Sequence, residues 1–457
     1  MLLTQAGLKA LNMISFFWIV TFLFVILLVA QWTVLLCVRK YMLALPKFHF
    51  GVRNLAILGL SVIVNLVIAY LSIMPFGGDN DSVLKQFISV SYFFFLGICL
   101  ALFVFFLALG GIDLLFGAYR SALDFIMRQK RSTYQAVVDD DKKLNRDIEE
   151  NAFSGATDER ANSKMTRRTF MRYAATTGTG AIVTLGSYGL AEAYDSPRLE
   201  SFKVTDQSLI GLSRQIRLIQ VTDIHYGMFY GSFSLGALVG NLNSIEADAL
   251  VITGDLFHSP NTPVESAAPI LRRLRKRRWG NFAVLGNHDF YTGIERSVQA
   301  ITQGGISLLR NEWITFHEDG ANIRIGGIDD PRANWLTGKQ FPEFFEFIRK
   351  EPQEPGFRIL LSHRPVVFPL AVQENIHLTL SGHTHGGQIT LPAPGESRPW
   401  SLAGLVSPYT LGMYKAGNSR MYVNRGVGLT FVPARINCPP EIAIINLVPP
   451  GLSTREV

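Results

Sequence analysis

Three long stretches near the N-terminus carry no charged residue, and no other feature restricts this chain as strongly. They are Ile14 to Val38, Leu55 to Met74 and Gln86 to Gly111. The first counts 25 residues, and a helix rising about 1.5 Å per residue needs fewer to cross a hydrocarbon core about 30 Å thick. Core helices of soluble domains seldom run uncharged so far, so three membrane spans are expected within residues 1–117. A cleaved secretory signal does not fit the first stretch, which is too long and is followed by further spans. With 48% hydrophobic and only 17% charged residues, wholesale disorder is excluded.

Lysine and arginine set the expected topology. The loop after the first stretch carries Arg39, Lys40, Lys47 and Arg53, the loop after the second only Lys85 beside Asp79 and Asp81, and the segment after the third Arg120, Arg128, Lys130, Arg131, Lys142, Lys143 and Arg146. The first and third of these face the cytoplasm, with the N-terminus outside. Residues 118–165 read as a flexible cytoplasmic linker, charge-mixed and weakly periodic. Residues 166–194 follow. Thr166-Arg167-Arg168-Thr169-Phe170 resembles a twin-arginine export motif, Tyr173 to Ala191 is uncharged, and Ala191-Glu192-Ala193 resembles a small-residue cleavage site. An ordinary fourth span with two inside arginines fits the same residues. Either reading sends the remainder of the chain away from the cytoplasm.

From about residue 195 the texture is that of a layered α/β domain. Strands are expected at Ile216–Val221, Ala249–Thr253, Phe282–Leu285, Ile323–Ile328, Ile359–Leu361, Leu378–Leu380, Met421–Val423 and Ile442–Leu447. Helices are expected near 234–244, 264–277, 294–303 and 341–350. Five of these strands end in residues able to ligate a metal. They are followed by Asp223-Ile224-His225, Gly254-Asp255, Gly286-Asn287-His288-Asp289, Ser362-His363 and Gly382-His383-Thr384-His385. Functional residues of open α/β sheets collect beyond the carboxyl ends of strands, and Asp, Asn and His supply nitrogen and oxygen donors. The three cysteines, Cys37, Cys99 and Cys438, suit neither a disulfide framework nor a cysteine-based zinc site.

The five motifs, in this order, resemble those of the calcineurin-like metallophosphoesterase superfamily over about 215 to 448. Gly382 to Gln388, Asn424 to Gly428 and Asn437 to Ile442 resemble its bacterial, often twin-arginine-exported branch, with relatives among UDP-2,3-diacylglucosamine pyrophosphatases. The resemblance implies a four-layer α/β/β/α sandwich over 195–457, preceded by the transmembrane helical region. It implies two divalent metal ions (Mn, Fe or Zn), with Asp255 bridging. Asp223, His225 and His385 complete one site, and Asn287, His363 and His383 the other. A metal-bridging hydroxide would attack phosphorus, His288 would act as general acid or phosphoryl clamp, and Asp289 would orient the His288 ring.

Other residues are less specific. Arg364 reads as a phosphate ligand or an exposed cap, and Asp329-Asp330-Pro331 as a strand-end turn. His258 and His317 read as ordinary polar histidines, Asn424 and Arg425 as structural residues, and Cys438 as a buried small residue. The basic run Arg272 to Arg278 reads as a solvated helix face, with docking on anionic headgroups as its functional alternative. The Pro/Gly-rich stretch 391–417 reads as packing or as a binding loop meeting an apolar substrate portion.

The function expected is that of a membrane-anchored phosphodiesterase acting on an envelope or lipid-related phosphoester, in the inner membrane of a bacterium with its catalytic domain outside. Its partners are then the phosphoester, lipid-linked in one version, and membrane lipids. Nucleic acid is not expected as a partner, despite the net charge of +7. The alternatives are a lipid A pathway pyrophosphatase, which requires the opposite topology, and a non-catalytic phosphate sensor, which fits poorly because no ligand position is missing.

Overall fold

The computed structural model describes residues 34, 83–144, 166–330, 346–348 and 355–451. The first two expected spans (Val34 apart), the linker from 145 to 165 and most of the expected helix at 341–350 lie outside these residues. The described chain divides into two compact units, one within Leu96–Thr184, the other from Leu185 onward together with residues up to Phe95.

Two helices enter the first unit, α1 (Val83–Leu144) and α2 (Arg167–Ala193). Val90–Leu123 of α1 is the one stretch among the described residues long and apolar enough to cross a membrane, and it contains most of the third expected span. Here Leu102, Phe106 and Leu109 of α1, spaced to share a helix face, pack with Met171 and Ala175 of α2. Residues 118–144 are helical rather than a flexible linker. After Gly117 this segment has neither Gly nor Pro and is rich in Ala, Arg, Lys, Gln and Leu, all strong helix formers. The Thr166–Phe170 segment forms the first turn of α2, where Thr166 Oγ1 accepts the Thr169 amide at 3.2 Å, a side-chain N-cap.

The second unit carries two six-stranded mixed sheets. The first contains β1 (Arg198–Thr205), β2 (Ile216–Val221), β3 (Ala249–Thr253), β4 (Gly280–Val284), β5 (Ser307–Leu308) and β14 (Glu441–Val448), in the order β1-β14-β2-β3-β4-β5. All neighbours are parallel except β14 and β2. The second contains β6 (Glu312–Glu318), β7 (Ala321–Gly327), β8 (Phe357–Leu361), β9 (Leu378–Ser381), β12 (Gly412–Ala416) and β13 (Ser419–Val423), in the order β12-β13-β9-β8-β7-β6. It is parallel in its centre and antiparallel at both edges. A short hairpin, β10 (Thr390–Leu391) with β11 (Trp400–Ser401), stands apart. The helices are α3 (Ser232–Ser244), α4 (Val264–Leu271), α5 (Asn287–Thr292), α6 (Ile294–Gln303) and α7 (Phe368–Gln373).

Alternation along the strands divides the core. In β3, Ala249 and Val251 join a cluster shared with Ile323, Ile359 and Leu380 of the second sheet. Leu250 and Ile252 face the other way, toward Leu235, Leu238, Val239 and Leu242 of α3 and Ala267 and Leu271 of α4. In β8, Ile359 and Leu361 belong to the shared cluster, while Leu360 packs with Phe368 and Leu370. A strand buried on both faces is largely apolar, as Ala249 to Ile252 of β3 are, and the expected limits of β2 and β3 match the observed ones.

The basic run differs from expectation. α4 stops at Leu271, and Asn243 captures the following turn by donating to Arg273 O at 2.8 Å and accepting Arg275 N at 2.7 Å. Arg277 is buried and donates to Leu242 O at 2.7 Å, while Arg278 pairs with Asp248 and Glu318. Several of these cations are thus committed within the unit. The strands β1 and β6, not expected from sequence, lie at sheet edges.

Candidate metal centre

Loops after β2, β3 and β4 of one sheet, and after β8 and β9 of the other, deliver the site residues. Backbone bonds tie the loops together, with Asp223 N donating to Gly254 O, His225 N to Asp255 O, Gly382 N to His363 O and Gly428 N to Asp223 O. Asp223, His225, Asp255, His383 and His385 have φ of +52°, +49°, +52°, +74° and +51°. Non-glycine residues in this region each cost of order 1–3 kcal/mol and persist only where surrounding structure holds them. Two glycines permit the close approach. A Cβ at Gly286 would lie 2.2 Å from Asp255 Oδ1, and one at Gly382 would lie 2.3 Å from Asp223 Oδ2.

Three donor groups result among the described residues, Asp223 with His225 and His385, Asp255 with His363 and His383, and His225 with His258 and His288. In the first, His225 Nε2 lies 3.0 Å from His385 Nε2, which is 3.4 Å from Asp223 Oδ1. In the second, His363 Nε2 lies 3.1 Å from Asp255 Oδ2 and 3.2 Å from His383 Nδ1. Asp255 Oδ2 is also 3.6 Å from His225 Nε2, so this one carboxylate faces both of these groups. Its other oxygen is fixed by the His288 amide at 2.8 Å. His363 Nδ1 donates to Thr253 O at 2.9 Å, a bond that leaves Nε2 as the ligating nitrogen. Asn287 Oδ1 is buried and accepts no hydrogen bond within the described protein, an arrangement that costs free energy unless an unseen partner satisfies it. That orphan oxygen and a donor set made only of nitrogen and oxygen fit divalent cations well.

Electrostatics of the ion-free protein agree. Burial pushes His225, His383 and His385 well below the ordinary imidazole range, so they are held neutral, the form that ligates metals. Burial would lower His363 as well, but Asp255 beside it prevails and carries it to about 10. Burial would raise Asp255, but His363 and His225 keep it well below the usual carboxylate range. Asp223 rises to about 6 through burial, against the pull of His363, and Asp289 to about 7 through burial and the charge of Asp255. Buried carboxylates and imidazoles crowded without counter-ions describe a site whose charge balance is completed by cations.

All nine residues singled out as catalytic or metal-binding from sequence are found on these loops, but Asp289 has a different job from the one expected. Its oxygens accept the amides of Gly286 and Phe257, each at 2.9 Å. Because α5 starts at Asn287, a carboxylate in its first turn folds back onto the amide preceding the helix, and this one ties the β3 and β4 loops together. The His288 ring is oriented by His258, whose carbonyl accepts from Nδ1 at 2.5 Å.

His258, read from sequence as an ordinary polar residue, lies in the site. Its Nδ1 is 3.2 Å from His225 Nδ1, and its ring stacks on His288 with centroids 5.2 Å apart. Its position three residues after Asp255 was the available signal. Arg364 is no exposed cap. Its Nε donates to Asp330 at 2.6 Å and its Nη1 lies 3.1 Å from His383 Nε2. Arg425 is bound by Glu441 and by Glu200, the latter at 2.7 Å. Cys438 is buried, with Sγ 3.3 Å from His385 O.

A carboxylate shared between two clusters of imidazoles is the equipment of a hydrolase that works through metal ions. Comparison with known proteins places it. The sequence profile of the calcineurin-like phosphoesterase family matches residues 216–387. The uncharacterized metallophosphoesterase YkuE of Bacillus subtilis is 32% identical over 299 residues, covering 62% of this chain and 98% of that protein. A Danio rerio transmembrane protein with metallophosphoesterase domain is 33% identical over 270 residues, 58% of this chain and 60% of that one. An uncharacterized metallophosphoesterase of Helicobacter pylori J99 is 31% identical over 273 residues, 59% of this chain and 70% of that one. The chain belongs to the calcineurin-like metallophosphoesterases and is a metal-dependent phosphoester hydrolase.

Proposed function

We propose that this chain is a membrane-anchored phosphodiesterase whose catalytic domain, a four-layer α/β/β/α sandwich over 195–457, acts outside the cytoplasm on an envelope or lipid-related phosphoester. The observation that carries the enzymatic part is Asp255 Oδ2, which lies 3.1 Å from His363 and 3.6 Å from His225. Asp223, His225, His385 and Asp255 would hold one divalent cation (Mn, Fe or Zn), and Asn287, His363, His383 and Asp255 a second. The bound cations would supply Lewis acidity toward phosphoryl oxygens and a water of lowered pKa.

The remaining work falls to the protein's own groups. The hydrogen bond from His288 Nδ1 to the His258 carbonyl leaves Nε2 as the position that exchanges a proton with a leaving oxygen. Asp330 holds the Arg364 guanidinium beside His383, where it would bind a phosphoryl oxygen. Asp289 keeps the β3 and β4 loops in register, so that the Asp255 carboxylate and the His288 ring act on the same phosphorus.

The anchoring is supported by the apolar helix Val90–Leu123, by the uncharged runs at 14–38 and 55–74, and by the similarity to the Danio rerio transmembrane protein with metallophosphoesterase domain. The twin-arginine-like turn at Thr166–Phe170 and the Lys/Arg asymmetry of the loops, basic at 39–53 and 120–146 but not at 75–85, favour export of the C-terminal half.

The test is hydrolysis of bis-p-nitrophenyl phosphate by the full chain in detergent with added Mn, Zn or Fe, beside Asp255→Ala. Turnover that needs metal and collapses in the variant supports the reading. Turnover equal in both overturns it. Fusion of a periplasm-only reporter to the C-terminus tests topology, and an inactive reporter on an expressed fusion refutes the outside placement.

A further inference from the structure

Three segments around the His385 loop expose large apolar side chains. The hairpin presents Leu391 and Trp400, at 52% and 48% exposure, the turn after it presents Leu402, Leu405 and Val406, at 67%, 70% and 72%, and Phe431 is 84% exposed. All are fastened to the stretch that follows the metal ligand His385. Leu391 pairs with Trp400, and a Cβ on Gly387 would lie 2.5 Å from that of Ser401. Gln388 holds the Phe431 segment by donating to Val432 O at 2.8 Å and accepting Thr430 N at 2.7 Å. From Ile389 to Leu411 the only charged residues are Glu396 and Arg398. Arg398 is turned inward, lying over the Tyr414 ring and donating to Leu411 O and Met413 O. Soluble surfaces rarely concentrate this much apolar area without a partner.

The occupant is indicated by what packs beside this rim. Val90 and Phe93, in the first turns of the apolar stretch Val90–Leu123, pack with Met228, Phe229 and Leu429, and the Phe93 and Phe229 rings meet edge to face with centroids 5.3 Å apart. Leu429 is two residues from Phe431, and Phe229 follows the ligand His225 by four. The face that receives the start of a bilayer-crossing helix therefore continues into the exposed rim, and both border loops that carry metal ligands. A residue at the end of a membrane helix sits at headgroup level, so the rim lies at that level too.

We propose that the rim of Leu391, Trp400, Leu402, Leu405, Val406 and Phe431 is seated in the headgroup region of the bilayer, so that the metal centre takes its phosphoester from a lipid in the plane of the membrane. This rests on the membrane-anchored phosphodiesterase reading above and specifies its substrate class. Apolar side chains with no charge among them enter the interface as the apolar face of a peripheral helix does. A loop that both docks on lipid and carries His385 places a headgroup phosphate beside the ligands without removing the lipid tails from the bilayer.

The experiment uses the full chain reconstituted in phosphatidylethanolamine and phosphatidylglycerol vesicles. A bimane label on Leu405→Cys and one on Glu246→Cys, at the opposite ends of the strands, are compared in the presence of dibrominated phosphatidylcholine. Quenching at 405 without quenching at 246 supports the proposal, and equal quenching at both positions, or none at 405, overturns it. In parallel, Leu402→Glu/Leu405→Glu/Val406→Glu is assayed on vesicle-borne phosphatidyl-p-nitrophenol and on soluble bis-p-nitrophenyl phosphate. A loss of about tenfold or more on the lipid ester, with soluble turnover kept within about twofold, supports it. Equal activity of variant and wild type on the lipid ester overturns it while leaving the phosphodiesterase reading intact. If wild type hydrolyses neither ester, it is the phosphodiesterase reading that fails, and the quenching result still decides the docking.

Discussion

One added methyl group should disable this enzyme while leaving its fold in place. Gly286 sits at φ −100° and ψ 177°, a conformation any residue adopts, so Gly286→Ala meets no backbone penalty. Its Cβ, however, would stand 2.2 Å from Asp255 Oδ1 and 2.5 Å from Asp255 N. Carbon and oxygen approach no closer than about 3.3 Å without strain, so the two loops must part by roughly 1 Å. Rotating the Asp255 carboxylate gives no relief, because the backbone nitrogen is also too close. The movement pulls Oδ2 away from His363 and His225, the groups whose shared use of that oxygen defines the site. A displacement of about 1 Å at a reacting centre costs about a hundredfold in rate, or about 2.7 kcal/mol of transition-state stabilisation, and overpacking costs about 1–3 kcal/mol of stability. Gly240→Ala, in α3 with nothing within 4 Å of its Cβ, is the control and should stabilise by up to about 1 kcal/mol. Turnover of bis-p-nitrophenyl phosphate with manganese, metal content after dialysis and the unfolding temperature decide the matter. Near-normal turnover and metal content in Gly286→Ala would refute the argument that this close approach sets the position of Asp255.

Other consequences concern charge and packing. In chelator-treated protein, His363 at about 10 stands above its unfolded value of about 6.5, so its contribution is complete below about pH 6.5 and is lost as pH rises toward 10. The urea midpoint should therefore fall across that window, and Asp255→Asn should flatten the fall, because it removes the largest influence that raises His363 against burial, leaving only Asp223 and Asp330. His258→Ala removes the ring 3.2 Å from His225 Nδ1 and should weaken metal retention about 10–100-fold, read by competition with a chromogenic chelator. Leu250→Ala, in the face of β3 that packs on α3 and α4, should cost about 2–5 kcal/mol, measured by denaturant unfolding, with metal content per folded chain unchanged.

The sequence exposed the strands whose identity is local. Ile216–Val221 and Ala249–Thr253 are mostly apolar, with Arg217, Gln220 and Thr253 the exceptions, because both faces of β2 and β3 are covered, and their limits could be read directly. β1, with the sequence Arg-Leu-Glu-Ser-Phe-Lys-Val-Thr, could not, because it is an edge strand whose only sheet partner is β14, more than two hundred residues away. β6 pairs only with β7 and keeps one face half exposed, so its pattern is no stronger than that of a loop. The end of α4 was hidden for a related reason. Arginine and lysine favour continuing a helix, and the turn at Arg272 is imposed by Asn243, a residue on another helix.

The metal ligands were legible because each follows a strand within two to four residues, and strand ends are where a parallel sheet can place side chains together. The roles of Asp289 and His258 were not, because a role depends on side-chain direction. Asp289 points at the Gly286 amide once Asn287 begins a helix, and His258 reaches His225 only once the β2 and β3 loops lie side by side. Backbone strain shows the same division. Five ligands, Asp223, His225, Asp255, His383 and His385, occupy the left-handed region, although that region carries a net cost for residues with a side chain. Glycine would relieve the strain at each position but could not ligate. The chain instead keeps the donor atom and holds the unfavourable conformation with hydrogen bonds between loops, from Asp223 N to Gly254 O and from His225 N to Asp255 O. Those bonds are also what bring Asp223 and Asp255 together, so the structure that supports the strain is the one that assembles the site.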